Sequence, residues 1–314
     1  MRSILIGAAT ALLASLMPAA PAAAQTSAQP APAMIEVPFN PPLEVTQRYR
    51  VNRTRPARDG KPALATSWVE ELRFTKTDSG FLAYWRMDWA SLPAEMRSPL
   101  LAPMIKPLAG EPIALELDAT GTVLRVHDWP AAKAQMLRAV EGLKGTIPAA
   151  QVAQVMPRIH AMYDALTAET AAPMLLKNLE PVFDFGGTAM AIGEAHTAPI
   201  ELPVPLVNGT VIANTTLTLT AAELGRTATF QSHQQVGPEA MRALMEQITA
   251  RFGSSDPAIR ARQQRELATA VEVTTDTTSI IDLATGLPLR FESRRFASSA
   301  SAKSADTLVL TLLR

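Results

Sequence analysis

Residues 72–89 read LRFTKTDSGFLAYWRMDW, and this stretch decides the fold. Within it, Asp78-Ser79-Gly80 is a turn signal between two segments in which apolar and polar residues alternate. After the turn, alternate residues form one apolar face: Phe81, Ala83, Trp85, Met87 and Trp89. A period of two is typical of a β-strand that is buried on one face. The turn therefore joins two such strands into a predicted hairpin.

The same period of two returns before and after this hairpin. Upstream, Val45, Tyr49 and Val51 alternate with polar residues. Downstream, the pattern predicts strands at 113–117, 123–127, 210–220, 227–235, 267–281, 289–296 and 307–313. A second turn runs from Asp282 to Gly286, because Asp bonds its own backbone and Gly supplies a positive φ. Neighbouring strands joined by turns predict an antiparallel meander.

Helical segments interrupt these strands. Apolar residues spaced by three and four predict helices at 129–143, 152–166, 171–179 and 238–252. Repeated prolines exclude a continuous helix in 91–110, and 180–205 is predicted as loop with short strand pieces. Because strands and helices are segregated along the chain, a parallel doubly wound fold is disfavoured. We therefore predict the α+β class: a long, curved antiparallel β-sheet, shaped like half a barrel, with inserted helices packed on its concave face.

The first 24 residues are typical of a cleavable secretory signal. Arg2 supplies a positive charge, Ile4 to Met17 is an apolar run, and Ala22-Ala23-Ala24 is a small-residue cleavage site. The apolar run is shorter than the roughly 20 residues that a membrane helix needs. Cleavage before Gln25 is therefore favoured over a membrane anchor, and we expect a periplasmic or secreted protein.

The remaining chain is divided by composition. Residues 25–42 are rich in Ala and Pro and are predicted to be a flexible tether. Residues 43–314 are predicted to form a single composite α+β domain, and a subdivision near residue 200 is the alternative. Hydrophobic residues make up 47% of the chain and charged residues 18%, which is typical of a folded protein.

Charge and cysteine content exclude several partners. Lys and Arg total 29, and Asp and Glu total 29, so the formal net charge is zero. This balance gives no electrostatic basis for binding nucleic acid or an anionic membrane surface. The chain contains no Cys, so disulfides and a lipid-modified cysteine are excluded. No stretch after the leader reaches the length of a membrane helix, so we expect no membrane span in the mature chain.

Motifs for catalysis and for metal binding are weak. Among the four histidines, only His196 has a carboxylate two residues away, at Glu194, and a strand would point both side chains the same way. Asp184 lies between Phe183 and Phe185, where apolar surroundings would raise its pKa. A loop carboxylate that accepts backbone N–H groups is the favoured alternative. We predict no catalytic residue, no metal site and no cofactor.

Two groups of apolar residues favour a ligand-binding cleft. Tryptophans and a methionine lie on one face of the predicted hairpin, and further methionines lie on the predicted helices. Aromatic residues line many ligand sites, and methionine adapts to varied apolar shapes. Packing within an ordinary core is the favoured alternative for both groups. The candidate ligand-binding residues are Trp68, Trp85, Met87, Trp89, Met156, Met162, Met241 and Met245.

The motif TGLPL at Thr285 to Leu289, on a late hairpin of an exported meander, resembles bacterial envelope proteins of the lipoprotein-carrier type. In that family a half-barrel sheet is covered by helices, and the apolar hollow between them holds acyl chains. The resemblance extends over 43–314 and implies a lipid or another apolar ligand. It depends on the overall pattern and one turn motif, and the helical segment 129–180 is longer than the family plan requires. No functional residue is carried over.

Three functions are consistent with these features. The first is an exported envelope protein that binds or carries an apolar or amphipathic ligand between sheet and helices. The second is a non-catalytic assembly factor that docks to another envelope protein through a sheet edge or the tether. The third is a hydrolase with a dispersed active site that uses Asp184 or His196.

Overall fold

Antiparallel strands dominate the computed structural model, which describes residues 33–56, 63–146, 148–176, 178–204, 209–252, 272–298 and 303–314. The strands in these ranges are β1 (Met34–Glu36), β2 (Gln47–Arg55), β3 (Leu64–Lys76), β4 (Gly80–Met87), β5 (Ile113–Asp118), β6 (Val123–Val126), β7 (Ala189–Ala191), β8 (Ala195–Val204), β9 (Gly209–Glu223), β10 (Thr227–Val236), β11 (Glu272–Asp282), β12 (Pro288–Ser298) and β13 (Lys303–Leu313). The helices are α1 (Ala102–Ile105), α2 (Trp129–Glu141), α3 (Ala149–Ala165), α4 (Ala168–Leu175) and α5 (Pro238–Phe252).

One pairing joins two meanders into a single sheet. Among the described strands, eleven form an antiparallel sheet in the order β6-β5-β4-β3-β2-β13-β12-β11-β10-β9-β8, and β1 pairs with β7. Within the eleven-stranded sheet, every pair of neighbouring strands is also adjacent in sequence except β2 and β13, where Leu310 lies opposite Val51 and Leu312 lies opposite Tyr49. The sheet is curved and open, so the predicted α+β class with a curved antiparallel sheet and inserted helices is confirmed.

Most of the buried side chains lie on one face of the sheet, the inner face, which carries Tyr49, Leu72 and Leu115. Residues two apart on a strand share a face, so the pairing registers extend this face across the whole sheet. One row of cross-strand neighbours runs through Trp68, Val51, Leu310, Phe291, Ser279, Phe230 and Leu219. The opposite, outer face carries exposed ion pairs such as Arg86–Glu71.

Three apolar clusters cover the inner face. In the first cluster, α2, α3 and α4 pack on β2 to β5, with Tyr163 and Leu175 among the buried residues. In the second, the β1–β7 ribbon and Phe185 pack on Leu219 and Phe230. The third lies under α5, where Met241 packs near Val236, Val273 and Ala213. Among the described residues, α2, α3 and α4 cover the first meander, and α5 covers the far end of the second.

The turn between β11 and β12 holds the N-terminal segment of the described chain. Gly286 has a φ of 75°, in the left-handed region that favours glycine. A Cβ at this position would lie 1.8 Å from the carbonyl oxygen of Pro38. The N–H of Asn40 donates to the carbonyl oxygen of Thr285 at 2.9 Å. The glycine of the TGLPL motif is therefore required by the turn and by the close approach of the N-terminal segment.

Two segments depart from the predictions made from sequence. The prediction of a tether at residues 25–42 is wrong for 33–42, because Ile35, Val37 and Phe39 are buried in the core, and residues 25–32 lie outside the described ranges. Residues 180–205, predicted as loop with short strand pieces, contain the ten-residue strand β8. Prolines obscured this strand, because an edge strand tolerates residues that a central strand does not. The helix expected at 171–179 begins at Ala168, where Thr167 and Thr170 form a capping box.

The two edges of the sheet offer little surface for pairing with another strand. At one edge, β6 is four residues long, and α4 packs beside it. At the other edge, β8 contains Pro199 and Pro203, which lack the N–H that a partner strand would bond. Within the described ranges, no helix has both the length and the apolar character needed to cross a bilayer.

Candidate functional site

Trp68 and Trp85 lie in the first apolar cluster, where their indole N–H groups share one acceptor. Trp68 Nε1 donates to Glu70 Oε1 at 2.8 Å, and Trp85 Nε1 donates to Glu70 Oε2 at 2.8 Å. On β3, Trp68 and Glu70 are two residues apart and share the inner face, and β4 brings Trp85 opposite Leu72 beside them. A buried indole needs an acceptor for its N–H group, and Glu70 supplies one for each ring.

Glu70 also binds the segment that follows α4. Its side chain is buried, with 1% exposed, and Oε1 accepts a hydrogen bond from Asn178 Nδ2 at 3.1 Å. Burial raises the pKa of Glu70 above the ordinary carboxyl value, because desolvation outweighs the three N–H donors that act in the opposite direction. The carboxyl group thus ties the helical layer to the sheet through Asn178.

Tyr49 stands directly opposite Glu70 on β2. Its hydroxyl is buried and has no hydrogen-bond partner among the described residues. Burial raises the pKa of Tyr49, so the phenol stays neutral. Because Tyr49 and Glu70 are both shielded from solvent, this polar centre stabilises the sheet–helix contact and is not a surface that a ligand reaches.

The other predicted ligand-binding residues fall in two separate places. Met87, Trp89 and Met162 are half-buried and pack against the first cluster, and Met156 on α3 is buried. Met241 packs in the third cluster under α5, and Met245 on the same helix is 39% exposed. The eight residues therefore do not line one cleft. Met241 and Met245 lie on the helix that covers the second meander.

A band of polar residues crosses the inner face between the second and third clusters. Two adjacent rows of cross-strand neighbours on β9 to β12 supply it. All six side chains are half-buried. We call this surface the polar band; its members are Thr215, Ser232, Gln234, Thr275, Thr277 and Ser293. Since each strand rises about 3.3 Å per residue and neighbouring strands lie about 4.8 Å apart, the band measures roughly 7 Å along the strands and 14 Å across them.

The polar band lies between two apolar clusters of the inner face. On β10, Phe230 belongs to the second cluster and Val236 to the third, and Ser232 and Gln234 lie between them. A sheet face that is sealed by a core carries apolar residues, because burying an unpaired hydroxyl or amide is costly. Half-exposed hydroxyls at these positions indicate a part of the inner face that remains accessible.

The side chains of the polar band are partly paired with one another. Ser232 Oγ and Thr277 Oγ1 lie 2.7 Å apart, and Gln234 Nε2 donates to Thr215 Oγ1 at 3.3 Å. Each hydroxyl carries one donor and two acceptor sites, so hydrogen-bonding capacity remains after these contacts. Apolar margins flank the band: Leu217 and Leu308 are half-buried beside it. The surface can therefore contact a polar group and an apolar group at the same time.

Each histidine contacts a carboxylate in the described structure. The contacts are His127–Glu116, His160–Glu141, His196–Glu194 and His233–Asp276, at 2.8, 3.2, 2.8 and 2.7 Å. The prediction that Glu194 and His196 point the same way is confirmed, and Glu194 has a lowered pKa, chiefly because the N–H of Ala191 donates to it. Among the described residues, no group of three or more His, Asp or Glu side chains could hold a metal ion.

Asp184 lies at the surface of the chain. Its neighbours Phe183 and Phe185 are buried, and Asp184 itself is exposed. The rings of Phe183 and Phe185 therefore do not enclose the carboxyl group of Asp184.

A groove of about 450 Å³ lies on the outer face of β11 and β12. Its charged residues neutralise one another, because Arg290 and Arg294 both bind Glu292, at 3.0 and 2.8 Å. Together they hold the pKa of Glu292 below its usual value. Asp276, at the same groove, contacts His233. The outer groove therefore has no net charge to attract an ionic ligand.

Comparisons with known proteins do not assign the chain to a family. No protein-family model matches it, and no curated protein matches it in sequence. A solved structure that concerns lipid–protein interactions in lipovitellin is similar over 86% of this chain, with 9% identity and a TM-score of 0.41. This chain spans 25% of the length of the lipovitellin chain.

Sequence reasoning missed Glu70 and the polar band for different reasons. Glu70 lies on the inner face and the adjacent Glu71 on the outer face, because neighbouring residues of a strand point to opposite faces. The sequence contained a signal for the role of Glu70, because Trp68 and Trp85 share its face and each buried indole N–H group needs an acceptor there. The polar band depends on the registers of four strands, and no single strand shows it.

We expect Glu70→Gln to change the pH dependence of stability. Because the folded-state pKa of Glu70 is raised, the wild-type carboxyl stabilises the fold while it is protonated, below its unfolded pKa of about 4.3. That contribution is lost as the pH rises through the folded-state pKa. The free energy of unfolding, measured by urea denaturation at several pH values, should therefore fall with rising pH more steeply for wild type than for Glu70→Gln.

Two further variants control this experiment. Glu70→Leu leaves two indole N–H groups and an amide without an acceptor and should destabilise the protein by ~3 kcal/mol or more. Glu71→Gln changes the next residue, on the outer face, and should cost less than about 1 kcal/mol. A Glu70→Gln variant whose stability runs parallel to wild type at every pH would show that Glu70 does not change its protonation on folding.

Proposed function

We propose that the protein is exported and binds an amphipathic ligand on the inner face of the sheet, between the polar band and α5. One observation carries this proposal: the polar band stays half-exposed between two apolar clusters of the inner face. Ser232 and Thr277 bind each other, but a purely apolar ligand would leave the remaining hydroxyl donor of this pair without a partner, at a cost of ~1–3 kcal/mol. A ligand with one polar and one apolar part satisfies both surfaces.

The helix α5 supplies the apolar cover in this proposal. Met241 and Leu244 are half-buried and face the third cluster, and Met245 is exposed beside them. Methionine side chains adapt to varied apolar shapes, so these residues suit contact with a flexible hydrocarbon chain. Trp68 and Trp85 have a different role, because their N–H groups are bound to Glu70 and their rings lie in the sealed core.

The two alternative functions find less support in the structure. Docking through a sheet edge is opposed by Pro199 and Pro203 on β8 and by α4 beside β6. A hydrolase that uses Asp184 is less well supported, because this side chain is exposed and does not lie in the apolar environment that the sequence predicted. His196 contacts Glu194 and lies opposite Leu217 on the neighbouring strand. The same row of cross-strand neighbours continues from Leu217 to Ser232 and Thr277 of the polar band. This places His196 at the rim of the proposed ligand surface.

Export is tested by the N-terminus of the mature chain. When the full chain is expressed in a Gram-negative bacterium, we expect the periplasmic fraction to contain protein that begins at Gln25, because Ala22 and Ala24 form the small-residue cleavage site. Intact mass and N-terminal sequencing measure this. Ala24→Glu should block cleavage and leave the leader attached. Recovery of wild-type protein from the cytoplasm with its leader intact would overturn the export proposal.

Ligand binding is tested by filling the polar band. Thr277→Trp places an indole on the inner face in the middle of the band, so it should weaken binding of a dansyl-labelled fatty acid at least about tenfold, or ~1.4 kcal/mol. Fluorescence titration measures the affinity. Native mass spectrometry of wild-type protein purified from its own host should show a co-purifying amphiphile.

The matched control is Thr278→Trp, which places the same side chain one residue away on the outer face. It should leave fatty-acid affinity unchanged, and circular dichroism should show that both variants are folded. Equal affinities of the two folded variants would contradict the proposed location. Failure of wild-type protein to bind any amphiphile would contradict the proposed function.

A further inference from the structure

We infer that the polar group of the ligand is anionic and that Arg295, at one end of the polar band, is its charge partner. This inference depends on the proposed function, because it concerns the same surface. Arg295 lies on the inner face of β12, directly opposite Thr275 of the band. Its side chain is exposed and forms no ion pair with any residue that the structure describes.

The nearest carboxylate on the inner face is already bound. Asp306 lies opposite Arg295 on β13, but its two oxygens accept hydrogen bonds from Arg53, at 3.3 Å from Nε and 2.7 Å from Nη2. Both side chains of this pair are mostly buried, with 21% and 28% exposed. A two-bond arginine–carboxylate pair is strong and has a fixed geometry. Asp306 is therefore committed to Arg53 and does not neutralise Arg295.

Among the described residues, this end of the inner face has an excess of positive charge. Arg53 and Arg55 are two residues apart on β2 and share the inner face with Arg295, and Asp306 is the acid that faces them. The outer face of the same strand differs, because Glu292 and Asp276 together balance the charges of Arg290 and Arg294 at the outer groove. An anion is therefore attracted to the inner end of β12 and not to its outer side.

The neighbouring hydroxyls complete a site for an oxyanion. Thr275 lies opposite Arg295, and Ser293 precedes it by two residues on the same face. A guanidinium group offers paired N–H donors that match a carboxylate or a phosphate, and hydroxyl groups add further donors. The apolar side chains of Leu308 and Leu217 then lie beside the hydrocarbon part. The ligand class is an amphiphile with a carboxylate or phosphate head group.

The experiment compares probes that share one tail. Isothermal titration calorimetry of the full mature chain measures binding of dodecyl phosphate, dodecyl maltoside and dodecyltrimethylammonium, each below its critical micelle concentration. We expect dodecyl phosphate to bind at least about tenfold more tightly than dodecyl maltoside, and dodecyltrimethylammonium to bind most weakly. Inorganic phosphate alone should not displace dodecyl phosphate at equal concentration, because it lacks the tail.

Two variants assign the effect to Arg295. Arg295→Gln should abolish the preference for dodecyl phosphate and leave dodecyl maltoside affinity unchanged. Arg294→Gln, the adjacent residue on the outer face, should preserve the preference. An equal loss of affinity for both probes in Arg295→Gln would show a structural role and overturn the inference.

The remaining outcomes separate this inference from the proposed function. Equal wild-type affinities for the phosphate and maltoside probes, both reduced by Thr277→Trp, would overturn the anionic head group and keep the binding surface. Displacement by inorganic phosphate as effective as by dodecyl phosphate would overturn the amphiphile as the ligand class. Absence of binding by all three probes would overturn the proposed function itself.

Discussion

The pairing of β2 with β13 is the constraint on which the rest of the structure depends. Each meander is built from strands that are close in sequence, but this contact joins strands from opposite ends of the described chain. It places Val51 beside Leu310, so that the inner face continues from the first meander into the second. It also removes two strand edges that would otherwise remain unpaired. Because the inner face is continuous, the polar band on β9 to β12 lies on the same side of the sheet as the apolar core on β2 to β5.

The two halves of that face have opposite chemistry. On the first half, Glu70 binds two indoles and Asn178, so this carboxyl group is satisfied inside a sealed layer. On the second half, Ser232 and Thr277 bind each other and remain half-exposed. Because burying an unpaired hydroxyl is costly, the half-exposed hydroxyls of the second half mark the part of the sheet that the helices leave accessible. The proposed function follows from this contrast.

Local sequence patterns predicted the strands and helices well, but not the contacts between distant segments. The alternation after Gly80 predicted β4, and the spacing of apolar residues predicted α5. The alternation of Ile35, Val37 and Phe39 was equally regular, but the surrounding Ala and Pro residues suggested a tether. Trp85 was correctly placed on an apolar face, yet its hydrogen bond to Glu70 depends on the register between β3 and β4. The polar band depends on the registers of three strand pairs, β9–β10, β10–β11 and β11–β12, and the sequence pattern of each strand does not define these registers.

Site-specific thiol labelling tests the central claim most directly, because the chain contains no cysteine of its own. Thr277→Cys places one thiol on the inner face, and Thr278→Cys places one on the outer face of the same strand. The rate of reaction with a bulky maleimide is measured with and without laurate at about ten times its dissociation constant. If the ligand occupies the polar band, laurate slows labelling at position 277 about tenfold and leaves position 278 unchanged. Equal labelling rates at position 277 with and without bound laurate would contradict the account.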